Sequence, residues 1–154
     1  MSFRLLDVYL AVGLRVVGTK IDLRKSIIIS DIRSFFEEGD VSVKMIYSVI
    51  LKCGNDISSE DFCKLYILLG LTKFILPTRM SLVHDGLFNI IDDLDKLGMY
   101  NWGGERGLVY DVLVDSLCST SKWMTQESMS SIHVDGCIYL LQVIWNIIHI
   151  GKCL

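Results

Sequence analysis

The tightest cluster of groups able to hold a divalent cation or exchange protons is Asp92-Asp93-x-Asp95. Paired carboxylates act together only when their oxygens converge. A helix turns by about 100° per residue, so these three acids do not share a face. They also alternate with the apolar Ile91 and Leu94. A D-D-x-x-D metal motif differs, because its first and last acids stand one helical turn apart. The segment therefore reads as the solvated face of a helix.

His133-x-Asp135-x-Cys137 supplies three metal-ligating residue types. A structural zinc site uses four ligands, usually in two paired knuckles, and the chain offers no second pair. Asp135 reads more simply as a helix cap and Cys137 as a core filler. The five cysteines, Cys53, Cys63, Cys118, Cys137 and Cys153, are odd in number and form no C-x-x-C pair. They read as reduced thiols, mostly small core fillers. With three histidines a Cys/His nucleophile pair is formally available, but nothing in the sequence fixes one in space. There is no G-x-S-x-G, P-loop or G-x-G-x-x-G motif. Gly70-Leu71-Thr72-Lys73 looks like the tail of a P-loop, lacks its glycine-rich cradle, and lies inside a helical pattern. No catalytic residue, cofactor site or metal site is expected.

Trp102 and Trp145 offer stacking surfaces for a base or ligand. Trp145 lies in an apolar helical pattern and reads as core. Trp102 is followed at once by Gly103, which suggests close packing of backbone against a helix. The nearest approach to a basic cluster is Lys20, Arg24, Lys25 and Arg33, interrupted by Asp22 and Asp31. The net charge is −3. Phosphate backbones are bound by clustered Lys and Arg, so bulk charge argues against that use.

Elements must position these residues. The 154-residue length fits one domain, 1–154, with a core of its own. Apolar residues reach 51%, above the roughly 45–50% of an average domain. Either the core is dense or apolar area meets a partner segment. A single proline, Pro77, and the absence of repeats or linker-like tracts keep the chain as one domain. Asp7 and Arg15 break the early apolar stretch, so no secretory signal is expected. The most apolar run, Ile138 to Ile150, carries Gln142, Asn146 and His149. A membrane span needs about 20 apolar residues; this run reads as a buried helix.

The periodicity predicts a mainly α, compact multi-helix domain of about six helices. Phe3 to Gly13 is a short helix with Leu6, Leu10 and Leu14 on one face. Arg15 to Leu23 alternates around Gly18 and predicts a small β-hairpin, Val16-Val17 against Ile21-Leu23. Ile27-Ile28-Ile29 is β-branched and suits extended chain. Ser30 caps a helix over Asp31 to Glu38, and Val41 to Cys53 is helical. Ser58 or Ser59, followed by Glu60 and Asp61, opens the clearest helix. Phe62, Leu65, Tyr66, Leu69 and Lys73 follow at three- and four-residue steps. That helix is apolar nearly all round and is placed centrally. Leu82 to Leu97 and Glu105 to Ser119 are two more helices, and Asp135 caps a last one through Ile150. The expected core is Phe62, Leu65, Leu69, Leu87, Ile91, Leu94, Leu113, Leu141 and Trp145.

Two stretches and a closing run resemble the plant mobile domain, also called the aminotransferase-like plant mobile domain. The first is Leu5 to Gly18, with Asp7, Gly13, Leu14 and Gly18 in a Leu-x-Asp-Val helix entering Gly-Leu-x-Val-x-Gly. The second joins Leu68, Gly70 and Phe74 to Asp93-Leu94-Asp95 and then Tyr100, Trp102 and Gly103. The closing run places Leu141 and Gln142 before Trp145. The resemblance spans residues 5–145, and the chain, short for that family, reads as a shortened copy. Gly104-Glu105-Arg106-Gly107 departs from the family's pattern, as does Asn146. The resemblance implies a non-catalytic, protein-interacting domain of a transposon-derived nuclear protein. It implies roles in transposon silencing, genome stability or gene expression, and partners such as PP7-type phosphatases or chromatin factors. No lysine is placed for a pyridoxal phosphate Schiff base, so the aminotransferase name implies no chemistry here. The alternatives are a nucleic-acid-binding module of a transposon protein and an accessory domain of a Ulp1-type cysteine protease. The expected location is the nucleus or cytoplasm.

Overall fold

The computed structural model describes residues 15, 17–23, 30–53, 56–103, 107–124, 134–137, 139 and 142. These residues are mainly helical. Four α-helices occur among them: α1 Val43–Cys53, α2 Ser59–Gly70, α3 Gly86–Ile91 and α4 Leu108–Met124. Two 3-10 helices, Ile32–Phe35 and Leu94–Met99, and one π-helical turn, Leu71–Ile75, complete the order. No strand forms among the described residues; two isolated bridges, Thr19 with Tyr100 and Ser42 with Leu82, are the only β pairings there. The contacts divide the chain into two units, Met1–Ile21 with Met99–Leu154, and Asp22–Gly98.

The unit over Asp22–Gly98 is built around α2. Ser58 caps this helix: its Oγ accepts from the Asp61 amide at 3.0 Å, and its hydroxyl donates to Asp61 Oδ2 at 2.7 Å. Leu65 and Leu68 are fully buried on one side of the helix, which packs against α1, α3 and the 32–35 turn. Burying one such leucine stabilises by about 1.5–3 kcal/mol. Ile46 from α1 and Phe88, Leu87 and Ile91 from α3 fill the same core. α2 runs straight into the π turn, where the Leu76 amide donates to Leu71 O at 2.8 Å, five residues back. Pro77 follows, and the residue before a proline is pushed away from helical geometry; Leu76 leaves the helix with φ −128° and ψ 50°.

Two expected helices are cut short, each by a side chain that competes for backbone groups. The 31–38 helix is only a 3-10 turn, begun by Ser30, whose Oγ accepts from the Arg33 amide at 3.1 Å. The Arg33 guanidinium then holds the chain out of helix by donating to the carbonyls of Phe36, Glu37 and Gly39 at 3.1, 2.8 and 2.7 Å. The same guanidinium sits 5.8 Å from the centroid of the Phe88 ring. The 82–97 helix breaks at Asp92 and Asp93 into α3 and the 94–99 turn. Asp92 Oδ1 accepts from the Ile32 amide at 3.4 Å, and Asp93 Oδ1 from the Lys96 amide at 3.3 Å. At the first residue of α3, a β-carbon on Gly86 would stand 2.6 Å from Leu23 Cα, so the backbones meet there at a distance only glycine permits.

In the other unit, the hairpin predicted over 15–23 is not what the described residues form. Thr19 instead runs parallel to Tyr100: its amide donates to Met99 O at 2.8 Å, and the Asn101 amide donates to Thr19 O at 2.9 Å. The Trp102 and Gly103 amides both donate to Arg15 O. Gly18 makes this possible. It has φ +154°, and an added β-carbon would overlap Met99 O and the Tyr100 backbone. α4 starts on this segment, with the Leu108 and Val109 amides bonded to Asn101 O and Trp102 O. Leu108, Val109 and Leu113 are its buried face. The expected helices over 3–13 and 135–150 fall largely outside the described residues, as do Leu141 and Trp145 of the expected core.

Candidate interaction surface

α2 has a second apolar face, and that face is bare. Phe62 is 42% exposed and Tyr66 62% exposed, with their rings stacked at a centroid distance of 6.2 Å and an interplanar angle of 16°. Phe74, in the π turn, is 60% exposed. Placing Phe62 in the core is therefore corrected: Leu65 and Leu68 face inward, and Phe62 stands on the neighbouring flank of the helix, turned to solvent. Leu69 and Leu94, also expected inside, are half-buried. The three aromatics and Gly70 fall at a constant step of four residues. On a regular α-helix a four-residue step drifts steadily around the axis. The π turn, with its wider winding, carries Phe74 back toward the line of Phe62 and Tyr66.

Lys64, on the same helix, is nearly covered, with its Nζ 2.7 Å from Glu60 Oε1. The hydrogen bond to Glu60 raises its pKa above 10.5 against the opposing effect of burial, with further support from the charges of Asp61 and Asp92. A lysine held so firmly protonated is a poor nucleophile. The Thr72 hydroxyl, in the π turn, is buried and has no hydrogen-bond partner.

The chemically suggestive residues separate. Asp92 bonds to the Ile32 amide, Asp93 pairs with Lys96 across 2.5 Å, and Asp95 is exposed. Lys96 beside Asp93 holds that carboxyl below its ordinary range. His133 lies outside the described residues; the Asp135 amide donates to Ser116 Oγ at 2.7 Å, and Cys137 is buried. Among the described residues no three of His, Cys, Asp and Glu gather closely enough to hold a metal ion. Cys63 and Cys118 are exposed free thiols, not the core fillers expected of them. Of the basic cluster, Lys20 is exposed, Arg33 is spent on backbone carbonyls, and Arg24 and Lys25 lie outside the described residues. Trp102 is buried, edge-on to Tyr100 at 6.3 Å, and is not a stacking platform. Gly70-Leu71-Thr72-Lys73 spans the join of α2 and the π turn. No helix among the described residues is long and apolar enough to cross a membrane.

The family pattern that matches the chain is described as a domain of unknown function (DUF8566), over residues 2–142. No curated protein and no solved structure matches. The match overturns the resemblance to the plant mobile domain, which is a different family. The positions that carried that resemblance are types that many helical domains reuse. Leu68, Trp102 and Gly103 are buried packing positions, but Phe74 faces solvent and Gly70 borders open space. Asp7, Gly13, Leu14, Leu141 and Trp145 lie outside the described residues, and Gln142 is exposed. The transposon origin, silencing role, nuclear location and phosphatase partners implied by that resemblance lose their basis with it.

Proposed function

We propose that this chain, a member of the DUF8566 family of domains of unknown function by a match over residues 2–142, is a non-catalytic protein-interaction domain. Its working surface is the outer face of α2 and the π turn. One observation carries the reading: a stacked Phe62–Tyr66 pair on α2 and Phe74 on the π turn stand exposed to solvent, while Leu65 and Leu68 of the same helix hold the core. Large aromatic rings left bare cost hydration free energy, and aromatics are enriched where proteins meet. A formed helix presents them on backbone that is already ordered, so less conformational entropy is left to lose on binding.

The test is photo-crosslinking in cell extract from a light-activated residue at position 66, compared with one at position 115, an exposed site on α4. The expected result is discrete protein adducts from position 66 that disappear when Phe62 is changed to Asp. Equal adducts from both positions, or none from 66, would contradict the proposal.

A further inference from the structure

We infer that the partner for this face is a second copy of the chain, docked antiparallel along α2 and the π turn. The inference rests on the reading of that face as an interaction surface and names its occupant.

The pattern Phe62-x3-Tyr66-x3-Gly70-x3-Phe74 is self-complementary when reversed. A two-fold axis crossing the exposed face, level with residue 68 along the helix, sets Phe62 against Phe74 of the second copy and Tyr66 against Gly70. An isologous interface requires this reciprocity: residue i meets j, and j meets i. Gly70 has ordinary helical angles, φ −61° and ψ −47°. Nothing lies within 4 Å of where its β-carbon would stand. Neither backbone conformation nor internal packing explains glycine where α2 passes without a break into the π turn, a place where it weakens the helical winding. A notch that receives the Tyr66 ring of another molecule does explain it.

Charge chooses the direction. Asp56, Glu60 and Asp61 crowd the start of α2, and Lys64 offsets only Glu60 among them. From Phe62 to His84 there is no acid, and Lys73 stands exposed toward the far end of the stripe. Antiparallel docking brings the acidic end of each copy toward the basic end of the other and opposes the helix dipoles. Parallel docking would set acids against acids.

The test is the mass of the full chain by sedimentation over a concentration series, for wild type and Gly70→Leu. The wild type is expected to rise from its monomer mass of 17.5 kDa toward twice that value. Gly70→Leu fills the notch and is expected to weaken association at least tenfold, while at dilutions where both chains are monomeric it melts no lower than wild type. A chain that stays monomeric up to about 1 mM overturns the inference; so does undiminished association of Gly70→Leu. Direction is read from Lys73→Cys in a Cys118→Ser background under mild oxidation. Antiparallel docking joins the introduced thiol to Cys63 of the other copy, whereas a Cys63–Cys63 bridge overturns the antiparallel geometry. If the chain is monomeric while position 66 still crosslinks to other proteins, self-pairing is wrong and the interaction surface stands. If neither occurs, both fail.

Discussion

Leu65 and Tyr66 are neighbours on one helix and face opposite worlds: Leu65 is fully buried, and Tyr66 keeps 62% of its surface in solvent. The two residues divide α2 into a face that holds the fold and a face left for something else. Leu65→Ala is predicted to destabilise the chain by about 2–5 kcal/mol, because a buried cavity cannot fully close. Tyr66→Ala removes only a solvent-side stack, worth about 0.5–1.5 kcal/mol. Urea unfolding of the two variants checks this. Equal losses would mean that Tyr66 is part of the core.

Arg33 is predicted to be irreplaceable by Lys. Its planar fork reaches the carbonyls of Phe36, Glu37 and Gly39 at once. An ammonium is a compact point charge that does not span them. Arg33→Lys is expected to cost about 1–3 kcal/mol, from carbonyl bonds lost and a cation moved off the Phe88 ring. Thermal unfolding measures it; an unchanged midpoint would show that the guanidinium bonds add no stability.

Much of this architecture is written locally. Ser58 with Asp61 announces the start of α2, Ser30 begins the 32–35 turn, and Leu65, Leu87, Ile91 and Leu113 are buried where their periodicity places them. The exposed stripe is not written that way. α2 is apolar on two faces, and periodicity alone does not say which of them has a partner. The four-residue steps through Phe62, Tyr66, Gly70 and Phe74 were the available signal, but an all-apolar helix is ordinarily central. The break at Asp92 depends on an amide sixty residues away in sequence, and the pairing of Thr19 with Tyr100 spans a longer gap still. Neither leaves a mark within its own segment.

Lys64 makes the alkaline limb of stability predictable. Its pKa is raised in the folded chain by the bond to Glu60. Its ion pair therefore contributes fully below 10.5, where the unfolded lysine is also protonated, and that contribution is lost as pH climbs through the higher folded value. In urea unfolding, the stability difference between wild type and Lys64→Met is predicted to be flat from neutral pH to about pH 10. Above that, wild type loses ground to the variant. A difference that stays constant across the alkaline range contradicts the raised pKa.

Ser81 holds a left-handed backbone, φ +53°, while its carbonyl accepts from the Val43 amide at 2.9 Å at the entry to α1. That conformation costs a non-glycine residue about 1–2 kcal/mol. Ser81→Gly relieves it at some cost in chain entropy, and a net gain of about 0.5–1 kcal/mol is predicted. A lower melting temperature for the variant would show that the serine side chain stabilises the turn.

Hydroxyl-radical footprinting tests the account at its centre, comparing the dilute purified chain with the purified chain at about 1 mM and with the dilute chain in cell extract. Phe62, Tyr66 and Phe74 are predicted to be oxidised freely when dilute and to be protected together in the concentrated chain, while exposed Tyr139 changes little. Equal oxidation of the three rings in all three conditions would mean that nothing docks on α2.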